Sequence, residues 1–266
     1  MPPLLYGTAW KKEKTEALVR QALRAGFRGI DTACQPKHYH EPGVGAAIAG
    51  WNRGEIFLQT KFTPVTGQDP KRIPYDPDAT LAEQVAQSFE TSLRNLHTDY
   101  VDSLVLHSPY ARYEQTLEVW SAMEQLVDRG QVRQLGISNC YRLETLRSLH
   151  RASRIEPTVV QNRFYAETDY DWEIRAFCRE QKIVYQSFWT LTANPGLLAD
   201  ETIRMLSLKY QRSPAQILFR YLNQVDVVPL TGTTSEVHMR EDLAIFEFAL
   251  TATEIAAINL LLKSAA

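Results

Sequence analysis

The chain has 266 residues, 44% of them hydrophobic, with 29 basic and 31 acidic side chains and a formal net charge of −2. That length suits one large barrel domain or two small domains, and the balanced charge, free of long like-charged runs, argues against nucleic-acid or anionic-membrane partners. Three widely spaced cysteines (Cys34, Cys140 and Cys178) form no CxxC pair and suit a reducing compartment. With no signal-peptide pattern and no long apolar span, the expectation is a cytoplasmic protein.

Strand-like and helix-like patterns alternate along the whole chain. "LLYGT" (4–8) is short and apolar, and "KTEALVRQALRAGF" places Leu18, Ala22 and Ala25 at helical spacing before Gly26. "RGIDTA" reads as a strand, "GVGAAIAGW" as a helix start and "EIFLQTKF" (55–62) as a strand. In 81–96, Leu81, Val85, Phe89, Leu93 and Leu96 form one stripe of period 3.6. "YVDSLVLH" (100–107) is a strand, "LEVWSAMEQLVDRG" a helix closed by Gly130, and "VRQLGISN" (132–139) a strand. The helix "LETLRSLH", the strand "TVVQNRF", the helix "WEIRAFCREQ" and the strand "IVYQSF" follow. Two helical stretches come after Asp200, then the strand "VDVVPL", the helix "VHMREDLAIF" and a last helix over 251–262.

Eight strand–helix units predict an α/β fold with parallel strands, and at this length a single (β/α)8 TIM barrel spanning 1–266 with mostly short loops. The competitor is a doubly wound open sheet, whose GxGxxG turn after the first strand is absent: "YGTAWKK" stands there instead. One loop is long. Residues 63–80 carry Pro64, Pro70, Pro74 and Pro77, and a loop of that length in a compact domain is usually functional.

Barrel chemistry sits at the C-terminal strand ends. Read in order, those ends are Asp31, Lys61, His107, Ser138 with Asn139, Gln161 with Asn162, and Phe188 with Trp189. The eighth strand is followed by "TGTTSEVHMRED", a Gly/Thr loop opening a helix whose free N–H groups suit an anion. Each residue alone has a structural explanation: a solvated acid, a core histidine, a Thr or Ser cap. Seven consecutive strands ending in polar or aromatic side chains are expected to converge on one mouth.

These segments resemble the aldo-keto reductases. "GFRGIDTA", "LQTKF", "YVDSLVLHSP", "GQVRQLGISN" and "TVVQNRF" are similar to the family's strand motifs in the family's order, and "SPAQILFRYL" and "MREDLAIFEFALTATEIAAI" to its C-terminal helices. The resemblance implies reduction of an aldehyde or ketone by NADPH on a (β/α)8 barrel, through an Asp, Tyr, Lys and His tetrad. Asp31, Lys61 and His107 fall at its positions. The family's tyrosine lies five residues after the acid, where this chain has Pro36; "HYHEPGVG" realigns it to Tyr39 through a three-residue insertion. Tyr39 would then donate the proton to the carbonyl oxygen, Lys61 would lower its pKa, Asp31 would hold Lys61, and His107 would orient the substrate.

The same resemblance assigns cofactor contacts to Thr8, Ala9, Asp31, Ser138, Asn139, Gln161 and Phe188, and to Thr231, Gly232, Thr233, Thr234, Ser235 and His238, with Glu241 and Asp242 near the adenine or ribose. Phe188 stands for the family's stacking tyrosine. His238 stands where the family clamps the 2′-phosphate of NADPH with arginine, so NADPH is expected but NADH or dual use stays open. Trp10, Tyr39, His107 and Trp189 would meet the substrate. No long C-terminal loop follows the final helix, which implies an open site for a bulky or varied carbonyl compound, with the 63–80 loop as a possible wall. The partner is a small molecule. Neither the substrate nor the oligomeric state is legible.

Two other readings compete. A non-catalytic, cofactor-binding redox sensor would account for the shifted tyrosine. A metal-dependent or isomerase barrel would use His38, His40 and His107, but the loop lacks the carboxylate or cysteine ligands that commonly complete a site. Cys34, close to Asp31, is expected to be a buried, inert thiol.

Overall fold

The computed structural model describes residues 1–265. Eight parallel strands close into a barrel in sequence order: β1 (Leu5–Gly7), β2 (Gly29–Asp31), β3 (Phe57–Phe62), β4 (Ser103–Leu106), β5 (Leu135–Ser138), β6 (Val159–Arg163), β7 (Val184–Phe188) and β8 (Val227–Thr231). β1 closes the ring against β8, with Leu5 beside Leu230 and Tyr6 beside Thr231. The open-sheet alternative is thereby excluded.

The helices are α1 (Thr15–Ala25), α2 (Glu41–Ile48), α3 (Leu81–Leu96), α4 (Tyr113–Asp128), α5 (Leu143–Ala152), α6 (Trp172–Glu180), α7 (Pro195–Ala199), α8 (Glu201–Tyr210), α9 (Pro214–Gln224), α10 (Glu236–Leu243) and α11 (Ala252–Ala265). Local chemistry sets their starts. Thr80 and Glu83 form a reciprocal capping box on α3, and Ser213 and Gln216 do the same on α9, where Pro214 occupies the first turn. The short α7 was not legible in the periodicity. Loops are not uniformly short, since 63–80 joins β3 to α3 with only a 3-10 turn (Val65–Gly67) inside it.

Alternation along each strand sorts the side chains. On β3, Leu58 and Phe62 pack outward in the apolar core under the helices, and Thr60 reaches Glu41 on α2, while Gln59 and Lys61 point along the barrel axis. On β6, Val160 faces outward and Gln161 inward. Below this polar layer the axis is narrow. A Cβ at Gly136 would lie 2.7 Å from Cβ of Val159, so only glycine fits beside that strand. Outside, α2 crosses α3 at Gly45, where a Cβ would sit 2.2 Å from the Asn95 carbonyl oxygen. The buried Glu41 secures this crossing by accepting hydrogen bonds from Thr60 (2.5 Å), Ser92 (3.0 Å) and Asn95 (3.3 Å).

Candidate active site

The C-terminal strand ends surround a cavity of about 1140 Å³, lined among others by Asp31, Tyr39, His107, Asn139, Gln161, Phe188, Trp189 and the segment after β8. At its floor, Asp31 Oδ1 accepts from Lys61 Nζ (2.7 Å), Gln59 Nε2 (2.7 Å) and Gln161 Nε2 (3.0 Å), and Oδ2 accepts from Lys61 (2.6 Å). Gln59 and Gln161 each donate a second hydrogen bond to Gln186 Oε1 (2.8 Å), and Gln186 Nε2 returns one to Gln59 Oε1 (3.0 Å). A buried carboxylate survives only with such donors around it. Lys61 has 0% side-chain exposure, and burial pulls its pKa down while Asp31 opposes the shift. Its third proton goes to the Thr32 carbonyl (2.8 Å).

The loop after β2 brings Tyr39 to this group. The amides of His38 and Tyr39 both bond to the Gln35 carbonyl, which turns the chain back toward the mouth. The Tyr39 ring then lies over Lys61, with Nζ 5.3 Å from its centroid, and edge-on to His107 at 6.0 Å. Against expectation the Tyr39 phenol is pushed up on balance, first by burial and then by the Asp31 charge, while the Lys61 protons are directed to Asp31 and Thr32. Among the described residues the Tyr39 hydroxyl has no hydrogen-bond partner, and it borders the cavity.

His107, at the end of β4, shares a 2.7 Å hydrogen bond between Nδ1 and Thr63 Oγ1. Burial, then the Lys61 charge, pulls its pKa well below the usual value, so the imidazole is neutral. Asn139 has a positive φ of 53° and donates to the His107 carbonyl (2.8 Å) while accepting from Tyr141 Oη (3.2 Å). Ser138 Oγ donates to the Gln161 carbonyl (2.6 Å). Asn162 points away from the mouth, toward Asp171 (2.7 Å).

Most of the expected cofactor residues border the cavity: Ala9, Asp31, Ser138, Asn139, Gln161, Phe188, Thr231, Gly232, Thr233, Thr234, His238, Glu241 and Asp242. Two do not. Thr8 is fully buried and donates to the Asp31 carbonyl (2.9 Å), and Ser235 caps α10 by accepting from the His238 amide. Asp242 accepts from Thr231 Oγ1 (2.7 Å), and burial raises its carboxyl to about 6. Arg240 pairs with Glu236 on the outer face of α10.

The sequence reading missed Lys11. This lysine is 7% exposed and lines the cavity; its Nζ donates to the Gly232 carbonyl (2.6 Å) and sits 5.2 Å from the Tyr6 ring centroid. No carboxylate pairs with it among the described residues, and burial lowers it to about 8. Arg163 was missed too. Its guanidinium lies between Trp189 (4.4 Å) and Tyr165 (5.1 Å), borders the cavity and has no ionic partner among the described residues.

A nicotinamide dinucleotide is chemically compatible with these groups. Gln161 Oε1 faces the cavity without a donor among the described residues, Phe188 offers an aromatic face, and Lys11 is a buried ammonium without a carboxylate beside Gly232, in the loop that leads into α10. At the mouth, Trp10 (58% exposed) stacks on His38 at 3.8 Å, and Trp189 (46% exposed) lines the same cavity. Residues 63–80 contribute nothing to the cavity lining and are not a wall. His40 caps α2 by accepting from the Gly43 amide, so His38, His40 and His107 do not converge. Among the described residues no group of three or more His, Cys, Asp or Glu could hold a metal. Cys34 is buried and its thiol is pushed up, first by burial. Among the described residues no helix is long and apolar enough to cross a membrane.

The aldo/keto reductase family model matches residues 4–263. The glyoxal reductase of Bacillus subtilis is 31% identical over 94% of this chain and 84% of its own length. An aldo/keto reductase from Brucella melitensis superposes with a TM-score of 0.83 at 30% identity, over 98% of this chain and 95% of that one. A Bombyx mori aldo-keto reductase solved in complex with NADP superposes with a TM-score of 0.81 at 26% identity, over 98% and 89%. The chain belongs to the aldo/keto reductase family of NAD(P)H-dependent oxidoreductases.

Proposed function

We propose that this protein reduces an aldehyde or ketone to an alcohol with Tyr39 as the proton donor, using NADPH and accepting NADH less well. One observation carries the reading. The Tyr39 hydroxyl and His107 border the same cavity as Gln161 and Phe188, and Tyr39 Oη has no partner of its own among the described residues. A carbonyl oxygen placed between them takes hydrogen bonds from the Tyr39 hydroxyl and from His107 Nε2. A bound dihydronicotinamide would be the source of the hydride for the carbonyl carbon. As negative charge grows on oxygen, Tyr39 transfers its proton there, and the phenolate left behind lies beside the Lys61 ammonium. Asp31, fixed by Gln59 and Gln161, keeps that ammonium in place. The desolvated, low-dielectric floor strengthens each of these interactions.

Ser138, Asn139 and Gln161 would hold the carboxamide, and Phe188 the ring face. Lys11 and the first turn of α10 would meet phosphate. Thr233, Thr234 and His238 would bind a 2′-phosphate without a guanidinium fork, so the preference for NADPH is modest. The open mouth at Trp10 and Trp189 fits a bulky or varied carbonyl compound.

A second reading, a cofactor-binding protein without turnover, draws on the commitment of all three Lys61 protons to Asp31 and Thr32. Fluorescence titration with NADPH and NADH, followed by assays on aromatic aldehydes and diketones, separates the two. Turnover that disappears in Tyr39→Phe supports the reductase. Binding without turnover on any carbonyl supports the second reading.

A further inference from the structure

We propose that Thr63, gripped by the long loop 63–80, is a positioning residue that fixes His107 as the neutral tautomer with its proton on Nε2, aimed into the cavity. This deepens the reductase reading, because it rests on His107 facing the carbonyl oxygen. The argument is one of donor counting. Thr63 is 2% exposed, and its Oγ1 has a single partner among the described residues, His107 Nδ1 at 2.7 Å. If Nδ1 carried the proton, it would donate to Oγ1. The threonine hydroxyl would then hold a buried proton with no acceptor, and Nε2 would face the cavity as a lone pair. In the other tautomer the hydroxyl donates to Nδ1, every buried group at this contact is satisfied, and Nε2–H points where a carbonyl oxygen would sit.

The loop makes Thr63 rigid. Its carbonyl accepts from Tyr75 Oη (2.7 Å) and Gln68 Nε2 (3.3 Å), and Gln68 also donates to the Cys34 carbonyl (3.0 Å). Gln35 Nε2 donates to the Gly67 carbonyl (2.7 Å). The Thr63 methyl lies so close to Gly67 that a Cβ there would fall 2.8 Å from it. With the methyl against Gly67, the hydroxyl of this β-branched side chain is held toward the imidazole. A loop that borders no part of the cavity thereby acts on the chemistry through one hydroxyl.

The test is ¹⁵N imidazole NMR of the full chain. Of its six histidines, His107 is assigned by the signal missing from His107→Gln. The expected spectrum shows protonated Nε2 and unprotonated Nδ1 in the wild type and in Thr63→Ser, and a mixture of tautomers in the isosteric Thr63→Val. Alongside, kcat/KM for carbonyl reduction should fall at least roughly tenfold in Thr63→Val and return in Thr63→Ser, with NADPH affinity unchanged in both. A wild-type proton on Nδ1, or a Thr63→Val spectrum identical to the wild type, overturns the proposal. If the tautomer behaves as expected while neither Tyr39→Phe nor His107→Gln alters turnover, the positioning stands and the proton-transfer reading fails instead.

Discussion

Lys61 Nζ lies 5.3 Å from the centroid of the Tyr39 ring, yet its protons go to the two Asp31 oxygens and the Thr32 carbonyl. The ammonium therefore acts on the phenol through space and stabilises it mainly after it has lost its proton. Tyr39→Phe should lower kcat by about 100-fold or more and leave NADPH affinity within a factor of about two. Lys61→Met should also abolish turnover, and would leave Asp31 as a buried charge without its counter-ion, so a lower melting temperature should accompany the loss.

The same pair of residues sets a pH prediction. Burial and Asp31 push Tyr39 upward, and burial with Lys61 pushes His107 well downward. Neither group changes charge across the neutral range. With NADPH saturating, so that Lys11 and Asp242 in the cofactor site do not limit the rate, kcat/KM for the carbonyl substrate should therefore be flat from about pH 6 to pH 9. A profile with a midpoint near 6.5 that vanishes in His107→Gln would contradict the neutral imidazole.

Lys11 is placed for phosphate, and both cofactors carry a diphosphate. Lys11→Met should weaken NADPH and NADH alike, by roughly tenfold. His238→Arg should act selectively, raising NADPH affinity roughly tenfold over NADH by adding a fork-shaped cation beside Thr233 and Thr234. Fluorescence titration of both variants with both cofactors reads the two effects separately.

Asp242 should make stability depend on pH. Its carboxyl rises from the ordinary 3.8 to about 6 on burial. A raised acid contributes stability that is complete below about pH 4 and lost as pH rises through 6. Asp242→Asn has no such loss. The wild type should therefore lose of order 1–3 kcal/mol relative to Asp242→Asn between pH 4 and pH 8, as measured by urea unfolding at each pH.

Gly45→Ala tests the helix crossing. Its Cβ would meet backbone, the Asn95 oxygen at 2.2 Å and Leu96 Cα at 2.9 Å, so α2 must move away from α3. A destabilisation of about 1–3 kcal/mol is expected, and the shift of Glu41 would also disturb its bond to Thr60 on β3. Gly50→Ala, which meets nothing within 4 Å, is the control and should change stability little.

Much of this architecture was legible in advance. The 3.6 stripe of α3 and the alternation of units gave the barrel, and strand ends marked Asp31, Lys61 and His107 because barrels place chemistry there. Tyr39 was legible only through resemblance, since the loop after β2 obeys no period. Gln59 and Gln186 were missed because a glutamine inside an apolar run reads as a flaw in the strand. Gln59 is two residues before Lys61, however, and so shares its inward face. Arg163 stands in the same relation to Gln161. Lys11 lay hidden in "WKKEK", which reads as a solvated charge run; the Trp10 backbone at φ 65° turns that segment across the mouth and buries only Lys11 of it. The influence of the 63–80 loop on His107 is tertiary and left no mark in the local sequence.

The charged and amide side chains on the barrel axis have a consequence for anyone engineering this protein. Asp31, Lys61, Gln59, Gln161 and Gln186 occupy volume that aliphatic side chains would fill at lower desolvation penalty. Replacing all five together by aliphatic side chains would give a sturdier and inert barrel, whereas Asp31→Leu or Lys61→Met alone would leave a stranded charge, and the two together would strand the Gln59 and Gln161 amides. Selection for heat resistance without selection for turnover should therefore drift toward this axis and erase the chemistry first. A thermostable working variant has to come from the outer helices and their caps.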